Sequence, residues 1–190
     1  AGPVHIHFHN AYELLFIKNG RIRITIDGMV YDGGPGSIFV IGRFEEHTLT
    51  ILSKVYDRWF LIIDPDRIGH LITDRRLLST LRNRPKDFSH RFDLAADLSR
   101  VEILFTRLLE EYQSPGAFSE LMQMSLLHEL LILLYRADSG KMCEEQPIPP
   151  SVLAVKAYIE GHYAEPLSIS DLAARVFMSS CYLSHIFKAV

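Results

Sequence analysis

The hydrophobic pattern of this chain changes its period once, at Asp64-Pro65, and that break is what most limits the folds open to it. Residues 4–64 read as strands. Tyr12 to Lys18 is a hydrophobic run closed by an Asn19-Gly20 turn. Arg21 to Ile26 then alternates polar and apolar residues and ends at Asp27-Gly28, a strong hairpin signal. Val30-Tyr31, Ser37 to Ile41, His47 to Leu52 and Arg58 to Ile63 complete the set, with Asp32-Gly33-Gly34-Pro35-Gly36 as a further turn. Many short strands with Gly-rich turns predict a sandwich or barrel.

After the break the period is helical. Asp66 to Arg82 is moderately amphipathic. Leu98 to Tyr112 places Val101, Leu104, Phe105, Leu108 and Leu109 on one side, and Pro115-Gly116 separates it from Phe118 to Tyr135. That last segment is apolar over so wide a surface that it is buried either within the chain or against a partner. Ser139 to Pro150 has the polar, proline-rich composition of a linker. Ser151 then reads as the N-cap of a helix carrying Val152, Val155, Ile159 and Tyr163. The expected organisation is a domain over 1–137, a linker over 138–150 and a small helical domain over 151–190.

Composition sets the outer bounds. The net charge of −3 over 190 residues makes the whole chain no magnet for nucleic acid, so DNA binding must rest on a local face. No apolar run reaches the ~18 residues that span a bilayer, so no membrane partner is expected. Two cysteines, Cys143 and Cys181, give no disulfide framework, which points to a reduced, cytoplasmic setting.

Two stretches carry chemistry. In Leu167 to Lys188 (LSISDLAARVFMSSCYLSHIFK), Ser168 and Asp171 have capping-box spacing, and Ile169, Leu172, Ala173 and Val176 form one apolar face. Phe177-Met178 breaks the pattern, and Ser179 or Ser180 caps a second helix whose Leu183, Ile186 and Phe187 point inward. Spacing alone is equally compatible with an ordinary antiparallel helical pair. The pieces "DLA" and "MS..YLS..FK" resemble the first helix-turn-helix of AraC/XylS-type regulators. The resemblance implies double-stranded DNA as partner of the full-length protein, with Cys181, Ser184 and His185 facing bases and Ser179 and Lys188 nearer phosphates. It also implies homodimerisation through the helices that follow the barrel. Phe177 stands where the family often has Gly, and His185 where it usually has a basic residue. The family carries two such motifs and this chain one, and it begins without Met; it is expected to be part of a longer protein that alone binds DNA weakly or not at all.

The second stretch is His7-Phe8-His9. On a strand, His7 and His9 share a face, and Glu13 shares it too. The pattern HxH-x3-E-x6-G, ending at Gly20, resembles the first motif of the cupin barrel, and Gly36 followed by His47 resembles the second. The resemblance implies an N-terminal cupin-like β-barrel whose His7, His9, Glu13 and His47 line a metal or effector pocket. Three imidazoles and a carboxylate suit a divalent transition metal such as Zn, Ni, Fe or Mn. The alternatives are a polar effector pocket without metal, or polar residues with no ligand at a barrel mouth. His128, on an apolar helix, reads as a packed or interface histidine rather than a ligand.

Two functions follow. One is a ligand-responsive DNA-binding transcription regulator, not an enzyme, that senses a small polar metabolite, a sugar among the candidates. The other is a metal-dependent cupin enzyme, a dioxygenase or isomerase, which leaves the capped C-terminal helices without a role.

Overall fold

The computed structural model describes residues 7–82, 84, 88–137 and 149–188; His5 and Cys143 lie outside them. The chain divides into two compact units, Ala1–Cys143 and Glu144–Val190.

In the first unit, β1 (Tyr12–Asn19), β2 (Ile22–Ile26), β3 (Met29–Gly33), β4 (Ser37–Ile41), β5 (His47–Ile51), β6 (Asp57–Ile63) and β7 (Arg91–Asp93) form two antiparallel sheets. Their orders are β6-β1-β4-β7 and β3-β2-β5. The α+β, cupin-like architecture expected from the sequence is present. The 27–28 turn is tight because Asp27 and Gly28 both take positive φ, 45° and 79°, which matches the twist of a two-residue hairpin.

The sheets pack through one face of β1. Leu15 and Ile17 meet Phe39 and Ile41 of β4 and Ile22, Ile24 and Ile26 of β2, all at most 1% exposed. The interior of the sandwich is therefore filled with aliphatic and aromatic side chains. The other face of β1, with Tyr12, Leu14 and Phe16, packs on α3 (Leu98–Gln113) and α4 (Ser119–Ala137). Phe16 stacks on Phe105, ring centroids 5.6 Å apart. Because both faces of β1 and β4 are covered, these strands read as unbroken apolar runs. The wide apolar surface of α4 has the same cause: Leu126, Leu127, Leu130, Leu131, Leu133 and Leu134 are all buried in this core.

The structure departs from the sequence reading at several places in this unit. Residues 66–82 form two short helices, α1 (Pro65–Leu71) and α2 (Arg75–Leu78), since Ile72 turns to extended backbone and Asp74 binds the Arg76 N–H. The three-residue β7 carries too short a pattern to be read and exists by pairing with β4. The described residues before Tyr12, 7–11, make an isolated bridge, His7 to His47, rather than a strand.

The second unit holds α5 (Pro150–His162), α6 (Ile169–Arg175) and α7 (Ser180–Lys188). Val155, Leu172, Ala173 and Leu183 make its core, with Val176, Met178 and Ile186 packed against it. Ser168 caps α6, accepting from the Asp171 N–H and donating to its carboxylate at 2.6 Å. Pro149, not Ser151, occupies the N-cap of α5, with Pro150 at its first position. Phe187, expected to point inward, is 38% exposed, and Ile169 of the apolar face and Tyr163 are 47% and 81% exposed. The turn between α6 and α7 closes by two bonds, Phe177 N–H to Ala174 O (3.2 Å) and Met178 N–H to Ala173 O (2.9 Å). That is the Schellman pattern, and Phe177 takes the left-handed conformation it requires, at φ 55°. Among the described residues no helix is long and apolar enough to cross a membrane.

Candidate functional site

One end of the two sheets is assembled by backbone bonds from the loop between β4 and β5. Phe44 N–H donates to the His9 carbonyl (2.9 Å), and His7 and His47 exchange backbone bonds of 3.3 and 3.0 Å. Arg43 Nε donates to Asn10 Oδ1 at 2.8 Å. The hairpin turn holds the same loop, because Glu46 N–H donates to Asp27 Oδ1. The two motif glycines fix the rest of the frame. A Cβ on Gly20 (φ 91°) would lie 2.3 Å from the Val55 carbonyl oxygen, and one on Gly36 (φ 87°) would lie 2.5 Å from Ala95 Cα.

These constraints bring together the start of β1 and the start of β5, which lie in different sheets. Glu13 faces the sandwich interior one step beyond Leu15, and His47 pairs with Ile26 of β2. His9 Nε2 is 3.1 Å from Glu13 Oε2, and His47 Nε2 is 3.8 Å from the same atom. Donor atoms of His9, Glu13 and His47 all lie within 4.8 Å of one another. His7 stands beside this set, its ring centroid 4.1 Å from that of His47 in an edge-on arrangement.

The second ring nitrogens are occupied by backbone. His9 Nδ1 lies 3.2 Å from Ala11 O, and His47 Nδ1 lies 2.9 Å from Glu45 O. Each ring is thus held at Nδ1 by a backbone carbonyl and turns Nε2 toward the carboxylate. His47 is 4% exposed, and its Nε2 is a buried atom with no hydrogen-bond partner among the described residues. Burial pushes the His47 imidazole below its ordinary pKa and so favours the neutral ring. Imidazoles with Nδ1 tied to carbonyls and Nε2 converging on a carboxylate form a donor set that fits a divalent transition metal.

The flank of this cluster is apolar and open. Phe60 and Ile62 of β6 pair with Leu15 and Glu13, and so share the inner face, yet they are 58% and 49% exposed. Ile51 of β5 is 51% exposed on the facing sheet. The sequence singled out neither Phe60 nor Ile62 as site residues, because an apolar strand residue reads as core. A cleft of about 160 Å³ is lined by Ile62, Ile63, Ile68, Leu108, Met124 and Leu127 among others, and holds none of the sequence-predicted site residues.

In the second unit Ser179 and Cys181 are exposed and Ser184 is half-buried, all on or beside α7. Ser179 Oγ accepts from the Tyr182 N–H at 3.2 Å and so caps α7. The backbone of His185 and Lys188 continues α7; their side chains lie outside the described set. His128 Nδ1 lies 2.8 Å from the Met124 carbonyl, a contact within α4 that accounts for it structurally.

The family model for the AraC-like ligand binding domain matches residues 5–131. The chain belongs to that family. The AraC-like domain thus covers both sheets, the helices packed on them and the His9–Glu13–His47 cluster. The HTH-type transcriptional regulator YbfI of Bacillus subtilis (strain 168), itself uncharacterized, is 22% identical over 183 residues, covering 95% of this chain and 64% of that protein. The chain therefore spans somewhat less than two thirds of that relative. Among solved structures, ToxT from Vibrio cholerae O395 bound to (E)-4-(8-methylnaphthalen-1-yl)but-3-enoic acid superposes with a TM-score of 0.58 at 12% identity, over 98% of this chain and 71% of that one. ToxT from strain SCE256 bound to an unsaturated fatty acid gives 0.51 at 8% identity, over 97% and 67%. These two likenesses establish a shared fold.

Proposed function

We propose that this chain is the sensory part, with a first DNA-reading helix pair, of a ligand-responsive transcription regulator. The observation that carries the reading is one chain holding both an AraC-like ligand-binding domain over 5–131 and a capped α6–turn–α7 unit. The competing cupin enzyme gives that unit no task. In the full-length protein α7 enters the major groove of double-stranded DNA, with Cys181, Ser184 and His185 toward bases and Ser179 and Lys188 toward phosphates. The protein works in the cytoplasm as a homodimer.

The effector site is the mouth built by His9, Glu13 and His47, with His7 at its edge. The sandwich interior is filled, so a ligand seats at the end of the sheets and along the open β5–β6 side. Polar donors next to exposed Phe60 and Ile62 suit a small polar metabolite with one apolar face. A sugar has that character, with hydroxyls on its rim and C–H groups on its face. ToxT, which shares this fold, is bound to an unsaturated fatty acid in one structure, and this supports acyl carboxylates as the second class to test. A divalent transition metal held by His9, Glu13 and His47 would supply a Lewis-acid anchor for an effector oxygen. The residues themselves orient the ligand: Glu13 accepts from hydroxyls, and the Glu45 carbonyl keeps the His47 ring turned inward.

The test is a thermal-shift screen of the chain against monosaccharides, sugar acids and fatty acids, with and without Zn²⁺ or Ni²⁺. The reading expects a saturable rise in Tm from one class that Glu13→Gln removes. A ligand whose effect survives both Glu13→Gln and His47→Ala would place the effector elsewhere.

A further inference from the structure

The inner row of β6 that carries Ile62 and Phe60 continues one step further, to Arg58. Cross-strand partners share a face of the sheet, and Ile62, Phe60 and Arg58 stand opposite Glu13, Leu15 and Ile17 of β1. The alternate residues Trp59, Leu61 and Ile63 turn the other way, into the core shared with the helices. Arg58 is therefore the far end of the open inner trough whose near end is the His9–Glu13–His47 mouth. Four strand residues separate it from Ile62, about 13 Å.

Arg58 is exposed, yet its guanidinium is steadied by two rings. It lies 5.5 Å from the Phe60 ring centroid and 5.7 Å from that of Tyr56, and Nη1 donates to the Tyr56 hydroxyl at 3.4 Å. Tyr56 in turn packs against the sandwich core. The charge has no answer within the chain. Among the described residues Arg58 makes no ion pair, whereas Arg23, Arg67, Arg76, Arg84, Arg91 and Arg100 each have a carboxylate partner. Asp57, the acid next to it in sequence, pairs with Lys18 at 3.2 Å, and Lys18 lies over Trp59 of the helix-facing row. Burial raises the pKa of the Tyr56 hydroxyl, Arg58 lowers it and Glu13 raises it, so both charges reach into the same space. The trough thus has a fixed polarity. A carboxylate at the mouth meets the like charge of Glu13, and at Arg58 it meets a planar fork of N–H donors. Hydroxyls suit the mouth, where Glu13 accepts, and Phe60, Ile62 and Ile51 give the stretch between an apolar wall.

We propose that Arg58 determines the specificity of the effector site and that the effector is a hydroxy carboxylate, with its carboxylate on Arg58, its hydroxyls toward Glu13 and an apolar face on Phe60. This assignment rests on the effector reading given above and narrows the small polar metabolite to an organic anion of fixed orientation.

The experiment is isothermal titration of the chain, with and without Zn²⁺, against two acids and their neutral counterparts: sodium glucuronate beside glucose, and sodium 4-hydroxyphenylacetate beside 4-hydroxyphenylacetamide. At least one acid binds saturably, about tenfold or more tighter than its counterpart. Arg58→Gln weakens that acid about tenfold or more, as expected for loss of a charged hydrogen bond, and leaves the neutral compound unchanged. Arg58 is exposed on an edge strand, so this variant keeps the fold. Arg58→Lys, which keeps the charge and loses the fork, falls between. Binding of neither acid, or acid binding unchanged in Arg58→Gln, overturns the proposal. Binding of glucose or the amide that Glu13→Gln removes and Arg58→Gln leaves intact overturns it too, while sparing the effector site itself. Acid binding that needs Arg58 but survives both Glu13→Gln and His47→Ala overturns the effector reading, and with it the orientation proposed for the ligand.

Discussion

Replacing Phe177 by Gly should stabilise the helix-turn-helix unit, although it removes a large aromatic side chain. Phe177 sits at φ 55° at the position where the α6 Schellman turn needs a left-handed residue, and it is 98% exposed. A side chain with a Cβ costs roughly 1–2 kcal/mol in that conformation. Glycine removes the cost but adds about 0.5–1 kcal/mol of unfolded-state entropy. Full exposure means that no packing is lost, so the net gain is about 0.5–1 kcal/mol. Phe177→Ala keeps a Cβ and should change stability by less than either term. The assay is native-state hydrogen exchange of the Leu172, Ala173 and Leu183 amides in the whole chain, which reports opening of this unit alone. Slower exchange in Phe177→Gly, by about two- to fivefold, and little change in Phe177→Ala is the expected pair of results. Equal or faster exchange in the glycine variant would refute the assignment of strain to this turn.

Further predictions concern the first unit. Glu45→Ala strands Arg84 as a buried charge and should lower stability by about 3–5 kcal/mol in urea denaturation. Phe16→Ala opens the core between β1 and α3 and should cost about 3–5 kcal/mol in the same assay. His90 is buried, and burial pushes its pKa below the ordinary 6.5. A histidine depressed in the folded state stabilises above its unfolded pKa, so the chain should lose stability as pH falls below about 6.5. His90→Gln should flatten that slope in pH-dependent melts.

The fold was legible wherever the pattern was local. Arg21 to Gly28 announced a hairpin through its alternation and turn, and Ser168 with Asp171 announced the α6 cap. The four-residue spacing of His9, just before β1, and Glu13, on it, was equally local. What escaped was fixed by partners distant in the chain. The pair β4–β7 joins Ile38 to Phe92, and the Glu45–Arg84 contact spans 39 residues, so neither leaves a periodic trace. Residues 66–82 misled because Asp74 captures the next turn's N–H through its side chain, breaking a helix that hydrophobic spacing alone continues. Phe177 in a glycine position was visible in the sequence, but the turn tolerates it because the side chain points wholly to solvent.

The most direct test of the regulatory account uses the full-length protein on the DNA upstream of its own gene, with affinity for specific and scrambled duplexes measured at fixed salt. The account predicts a specific complex that Ser184→Ala and His185→Ala together weaken about tenfold or more while binding to scrambled DNA stays the same. Equal affinity for both duplexes, or full specific affinity in the double variant, would contradict it.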